Sequence, residues 1–390
     1  MSGPPPTAWL NALLGFLQWA QHGVLALWHA LGLTGDVRGQ PAWPWSARIA
    51  GETLLIDLGQ ARQLGLTLIA VVLALVAALV ALLVRRWRAV AVGASLGLLV
   101  AAPWPSPDLV LAPAVPTSFH DNPHPFSLAS ITHGAHVYAA ACASCHGDDG
   151  RGEGPLAATL TRWPPTVVGP LLGRRADGEL FWHIAHGMRN AQGAVTMPAF
   201  SLRFSDTDIW AVLDYMKVLA ASGGARAGGW PLPVALPVLS VRCGDGPAQP
   251  LARWRDGQRL RLIAADAASA GRVPLEDPRL RTLLVTPDGT LPPLASPFQA
   301  RCVAEGRDAW PVFAAIAGAT PQTFAGTQLL ADRDGWLRAR GEAGTTWSDA
   351  DFLCTSASRT SGTSRASGLD TLIARMDAEP VRYVKGGFIH

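Results

Sequence analysis

Cys142-Ala143-Ser144-Cys145-His146 is the stretch that decides how this chain is read. Two thiols in a C-x-x-C spacing, followed at once by an imidazole, match the attachment signature of c-type haem. The spacing has a chemical reason. A short, partly helical loop brings both sulfurs to one porphyrin edge, where each can form a thioether with a vinyl group. The same loop turns the imidazole toward the iron. C-x-x-C without the histidine would equally suit a redox dithiol or half of a zinc site, but no second C-x-x-C completes a zinc site.

Working outward, Leu128 to Cys142 carries Ile131, Gly134, Val137 and Tyr138 at helical spacing. Glycine is costly in mid-helix, so Gly134 is expected where another helix comes close. On the other side, Gly147 to Gly154 is glycine-rich and holds Asp148, Asp149, Arg151 and Glu153. Arg162-Trp163-Pro164-Pro165 reads as a loop whose proline carbonyl can accept the His146 ring proton, fixing the tautomer an iron-bound imidazole needs. Asp177 to Met188 reads as a helix with Leu180, Phe181 and Ile184 on one face and Gly187 as terminator.

Thr196-Met197-Pro198-Ala199-Phe200 reads as a loop, and a loop methionine is a candidate axial ligand: its soft thioether raises the potential of a low-spin haem. Met216 shares a helical stripe with Ile209 and Leu213 and reads as core. Met188, at a helix end, is the alternative sixth ligand, and His183 or His186 would give bis-histidine ligation. Ser205-Asp206-Thr207-Asp208 has the form of a capping box opening a helix that runs to about Ala220 and ends at Gly223 and Gly224.

Together, residues 128–221 resemble a class I cytochrome c domain. The match rests on the C-x-x-C-H run with Gly147, the Gly-rich stretch, Pro164-Pro165, Asp177 to Trp182 with His186-Gly187, Met197 to Phe200, and Ser205 to Tyr215. The resemblance implies an all-α domain with one covalent haem c on Cys142 and Cys145, axial ligands His146 and Met197, and Tyr138, Pro165 and Phe200 in the haem pocket. It implies that the first and last helices cross, with Gly134, Tyr138 and Leu213 or Tyr215 at the crossing. It also implies one-electron transfer through a partly exposed haem edge.

Composition adds a membrane. The mean hydropathy is positive, and the net charge of +3 implies no nucleic-acid partner. Trp9 to Leu33 is apolar and uncharged but interrupted by Gln18, His22 and His29. It lacks the basic start of a signal peptide and is expected to be a membrane helix. An interfacial helix with Trp9, Trp19 and Trp28 at the headgroups is the alternative. Residues 34–63 read as a loop. Leu64 to Val84 is the clearest span, Arg85, Arg86 and Arg88 follow, and Ala89 to Ala102 can close a hairpin. The positive-inside rule puts the arginines in the cytoplasm and everything after residue 104 outside, where bacteria attach c-type haem.

Pro103 to Pro125 reads as a linker, with His120 and His124 near Asp121 as a candidate metal site. Beyond the cytochrome-like stretch, Gly228 to Pro237 reads as a second linker. Strands are expected at 236–241, 259–264, 281–286, 328–331 and 336–339, with a helix at 310–318. Asp332-Arg333-Asp334-Gly335 makes a hairpin turn. The order strand, helix, hairpin, with Ala331 to Arg340, resembles the second half of a thioredoxin-like domain. No C-x-x-C accompanies it, so the resemblance implies docking or structural support. Cys243, Cys302 and Cys354 lie outside the haem motif, and an oxidising compartment would permit one disulfide, Cys243 with Cys302 first.

The expected molecule is multidomain. It has a membrane anchor at 1–104 with spans at about 9–33, 64–84 and 89–102, and a linker at 105–127. A cytochrome c domain at 128–226, an α/β thioredoxin-like domain at 227–356 and a flexible tail at 357–390 follow, with a short helix at 369–378. The expected function is electron carrying rather than catalysis: a monohaem cytochrome in the bacterial inner membrane, its haem and C-terminal domains periplasmic. Its partners would be redox proteins, subunits of a membrane respiratory complex. The alternatives are a haem-relayed thiol or metal redox enzyme on the C-terminal domain, and a metal-handling or assembly protein using His22, His29, His120 and His124.

Overall fold

The structure is a computed structural model that describes residues 8–50, 58–169, 175–342, 344–354 and 368–382. It divides into two compact units. The first runs to His120 and takes in the first turn of the helix that begins at Asp177. The second holds the remainder from Asp121 onward.

In the first unit, α1 (Ala8–Ala30) packs Leu10, Leu14 and Leu17 onto Ala61, Leu64 and Val110. Residues 34–50, expected as loop, form strands β1 (Asp36–Val37), β2 (Gln40–Pro41) and β3 (Ala47–Ile49). Gln21 of α1 holds this region in place: its side chain accepts from the Ile49 N–H at 2.8 Å. α2 (Leu58–Leu83) and α3 (Arg88–Ala101) form an antiparallel hairpin. Ser95 donates to the Ala74 carbonyl at 2.9 Å, and Thr67 to the Pro103 carbonyl at 2.8 Å, so both side chains find partners inside the hairpin. The outer surface of α2 is apolar and exposed, with Leu66, Ile69, Leu75, Leu82 and Leu83 all more than half exposed.

Among the described residues one helix, Gly59–Leu83, is long and apolar enough to cross a membrane, which α1 is not. The supposed linker after residue 104 is structured. It forms α4 (Pro107–Val110) and β4 (Leu111–Pro113), and β4 pairs with β3. Thr117, Ser118 and His120 are buried. Thr117 and Ser118 donate to the Gly178 carbonyl and the Glu179 carboxylate in the first turn of the helix that begins at Asp177, and Phe119 between them and His120 lies 4.5 Å from Trp43 and 4.9 Å from His22 between ring centroids.

In the second unit, α5 (Leu128–Ala141) starts at Ser127, whose hydroxyl accepts from the Ser130 N–H at 3.2 Å. One helical turn, α6 (Ala143–His146), carries the C-x-x-C-H run. α7 (Asp177–His186) ends at Gly187 with φ of +73°, and a short hairpin of β5 (Met188–Arg189) and β6 (Val195–Met197) follows. Met197 therefore ends a strand rather than lying in an unpaired loop. α8 (Asp206–Arg226) opens with a complete Ser205–Asp208 capping box. It runs through Gly223 and Gly224, because Ala221, Ser222 and Ala225 are buried on its core face and tertiary packing outweighs the local cost of glycine. α5 and α8 cross where Gly134 meets the Ala211 carbonyl, so closely that a Cβ at 134 would overlap it.

The chain then builds β7 (Val234–Ala235), β8 (Ser240–Cys243), β9 (Gln249–Pro250) and α9 (Leu251–Arg255). β10 (Arg259–Ala264), β11 (Leu280–Val285), β12 (Cys302–Ala304) and α10 (Ala309–Ile316) come next. β13 (Thr327–Ala331), β14 (Trp336–Glu342) and α11 (Leu369–Ala378) complete it. The strands form one mixed sheet in the order β7-β14-β13-β10-β11-β12-β8-β9, with β10 parallel to β11 and antiparallel to β13. α10 covers one face and packs in a common core with Leu128 and Ile131 of α5 and Val218 and Ala221 of α8. Trp230, in the supposed second linker, joins this core, and its Nε1 donates to the Ile316 carbonyl at 3.3 Å.

α11 lies in the stretch expected as a flexible tail. Its Leu372, Ile373 and Met376 pack with Trp347 and Phe352, which accounts for their burial. The rest of that tail, 357–367 and 383–390, lies outside the described residues. Arg338, fully buried, pairs with Asp332 at 3.1 Å and donates to the Glu379 carbonyl at 2.7 Å.

Candidate haem site

α5 delivers Cys142 at its last turn, and α6 sets Cys145 and His146 one turn further on. The turn is closed by backbone bonds from the Cys145 and His146 N–H groups to the Cys142 carbonyl. Neither thiol is in a disulfide, and both are half-buried. Burial pushes the Cys142 thiol up to about 11. Cys145 beside it adds to the rise, and Arg203 opposes it.

His146 Nδ1 lies 3.1 Å from the Pro165 carbonyl oxygen. A carbonyl can only accept, so Nδ1 carries the proton and Nε2 is the unprotonated nitrogen left for a metal. Burial holds the imidazole below its ordinary pKa, and the Pro165 bond acts the other way. Tyr138 is buried, donates to the Gly147 carbonyl at 2.9 Å, and packs edge-on to Tyr215 with ring centroids 5.4 Å apart. Burial raises its hydroxyl well above the usual range. The pair stands at the crossing where Gly134 touches α8, and Leu213 turns instead to Phe181, Ile209 and Trp210.

Met197 and Met188 are partners in the β5–β6 ladder. Met197 is half-buried and Met188 is exposed. Gly187 lets this hairpin close, since a Cβ there would meet the Met197 carbonyl at 2.5 Å and the Ala199 nitrogen at 2.8 Å. Phe200 lies half-buried and stacks on Phe204 at 5.8 Å, and Arg203 sits 5.1 Å over the Phe204 ring. Arg203 and Phe204 were not singled out from the sequence, because nothing in their spacing distinguishes them from surface residues. His186 is exposed, stacked on Trp182 at 3.7 Å.

Residues 129–216 match the family model described as cytochrome C oxidase, cbb3-type, subunit III. This stretch is a c-type cytochrome domain. The cytochrome domain implies haem c, and the residues present suit it: paired thiols, an imidazole held in one tautomer, and apolar walls from Val137, Val167, Val168 and Ile184. A solved structure of a reducing HAO-like protein complex from Kuenenia stuttgartiensis is similar over 32% of this chain, at 20% identity and a TM-score of 0.24. The chain spans 59% of that relative's length. No curated protein matches the chain. What the family match supports is a redox haem domain at residues 129–216.

The candidate metal histidines outside this site are engaged locally. His29 pairs with Asp36 at 3.0 Å, the His120 ring bonds the Pro41 carbonyl at 3.2 Å, and His124 meets Thr207 at 3.3 Å. Among the described residues no group of three His, Cys, Asp or Glu side chains is arranged to hold a metal ion.

Proposed function

We propose that the protein is a membrane-anchored monohaem c-type cytochrome that passes single electrons between respiratory partners on the periplasmic face of a bacterial inner membrane. The observation that carries this reading is the His146–Pro165 bond, beside two unpaired thiols in a C-x-x-C-H turn.

Cys142 and Cys145 would hold the haem covalently, and His146 Nε2 and the Met197 thioether would be its axial ligands. Bound there, the haem supplies a one-electron iron couple. Pro165 keeps the imidazole oriented and more basic, and the methionine and apolar walls favour the reduced state. Tyr138, Pro165 and Phe200 would line the pocket.

Several features support the anchor. α2 is about 38 Å long over Gly59–Leu83, which exceeds a hydrocarbon core of ~30 Å. Large apolar side chains along it face outward, which is unusual against water. Arg85, Arg86 and Arg88 at the hairpin turn favour a cytoplasmic turn. The β3–β4 pairing keeps both flanks of the hairpin on one side, in agreement with a periplasmic haem. α3, of 14 residues, spans only about 21 Å and would return with its partner's help. α1 packs against the beginning of α2, which favours the interfacial reading over a span. The Cys243–Cys302 disulfide favours an oxidising compartment.

The succession of β11, β12, α10 and the β13–β14 hairpin supports the thioredoxin-like reading of the C-terminal region, and the oxidase-subunit description of the matching family favours a fixed place in a membrane respiratory complex. Optical spectra test the ligands. Wild type and Met188→Ala are expected to keep the methionine-to-ferric-iron charge-transfer band, and Met197→Ala to lose it. A band retained in Met197→Ala overturns the assignment.

A further inference from the structure

We propose that Cys243–Cys302 is a second, thiol-based redox site, opened through Cys302 by a protein dithiol and reclosed by a protein disulfide. The proposal stands independently of the haem reading.

Cys243 is the last residue of β8 and Cys302 the first of β12, and they face each other in register at the end of an antiparallel ladder. Both are half-buried rather than sealed in the core. Cys302 also lines an open groove with Trp254, Leu280, Arg281, Gln299 and Arg301. One sulfur of the bond is therefore within reach of an incoming thiolate, which is the first requirement for exchange. Arg281 and Arg301 are exposed cations on the same groove and favour thiolate over thiol there. Arg242, next to Cys243, is already paired with Glu305.

The sheet does not need the bond to stay together. Beside the cysteines, Gly244 N–H donates to the Arg301 carbonyl at 3.0 Å, and Glu305 N–H to the Ser240 carbonyl at 2.9 Å. β8 is paired on its other edge with β9, and β12 with β11. Reduction therefore leaves the two strands in register, able to reclose. Cys354 is the internal contrast: it is 1% exposed, and burial pushes its thiol up to about 11. It stays protonated and out of reach.

The exchange balances as follows. A partner thiolate attacks the Cys302 sulfur, the Cys243 sulfur leaves and takes a proton, and a mixed disulfide joins the partner to Cys302. The partner's second thiol, losing its proton, displaces Cys302, which leaves as thiolate and is protonated. Two electrons have moved to this chain, and the partner dithiol has become a disulfide.

The test equilibrates the intact, folded protein with glutathione buffers of increasing reduced-to-oxidised ratio, then maps alkylated cysteines by mass. Cys243 and Cys302 are expected to label together without denaturant, Cys354 to stay unlabelled, and oxidised glutathione to restore the bond. In Cys243→Ser, Cys302 is expected to trap one glutathione. Labelling that requires denaturant, or that always includes Cys354, overturns the proposal and leaves the bond a structural staple. Failure to trap glutathione on Cys302 overturns the assigned point of attack.

Discussion

The His146 imidazole donates its Nδ1 proton to the carbonyl of Pro165, 19 positions further along the chain, over 3.1 Å. This bond makes the ring a stronger donor at Nε2. Pro165→Ala frees the loop backbone and weakens the bond, so the reduction potential is expected to rise while the haem stays attached. Spectroelectrochemical titration of the two proteins checks the direction. An unchanged or lowered potential contradicts the role given to Pro165.

Gly134 tests the helix crossing. Its α-hydrogens lie against the Ala211 carbonyl, so Gly134→Ala forces α5 and α8 apart and is expected to cost about 1–3 kcal/mol. Gly223 is the control, lying in α8 with nothing within 4 Å of a built Cβ. Gly223→Ala is expected to stabilise by about 0.5–1 kcal/mol. Denaturant midpoints of the two variants should move in opposite directions.

The first and last cytochrome helices were legible because each signal had a local cause: the capping box at Ser205, the periodicity from Ile131 to Tyr138, and a mid-helix glycine with a reason to be there. The Asp-Gly hairpin between β13 and β14 was legible for the same reason, since the turn chemistry lies within four residues. The misread stretches depend on distant partners. Pro-rich residues 105–127 look like solvent-exposed linker until Phe119 meets Trp43. The helix at 369–378 was expected, but its burial was not, because Trp347 and Phe352 lie upstream of the Ser/Thr/Arg-rich run. Trp230 reads as linker because its partner, the Ile316 carbonyl, is 86 residues away. In the haem site the thiols and imidazole were visible, but the strand pairing of Met197 with Met188 was not, since segments of two and three residues carry no readable period.

Arg338 tests the core of the C-terminal region. It is fully buried, and Asp332 is its carboxylate partner. Asp332→Ala leaves a buried guanidinium uncompensated and is expected to destabilise by about 3–5 kcal/mol. Thermal unfolding followed by tryptophan fluorescence reads the loss. A shift no larger than that of a surface substitution contradicts the pairing.

Asp277 gives a pH signature. The Arg279 guanidinium, 2.7 Å away, holds its carboxyl down at about 2. A depressed carboxylate stabilises fully above its unfolded pKa of about 3.9, and that contribution is lost as pH falls through about 2. The pair faces solvent, so screening keeps the contribution small. Arg279→Ala is expected to be slightly less stable than wild type at pH 7, with the difference shrinking as pH falls toward 2 and vanishing below it. A difference that grows on acidification has the wrong sign.

The central claim, one covalent haem on the C-x-x-C-H turn, is tested most directly by the mass of the intact, denatured chain. Wild type is expected to carry the mass of one haem that acid and organic solvent do not remove, and Cys142→Ala/Cys145→Ala to run at the mass of the bare polypeptide. A wild-type chain at the bare mass, or a double variant that keeps the added mass, contradicts the account.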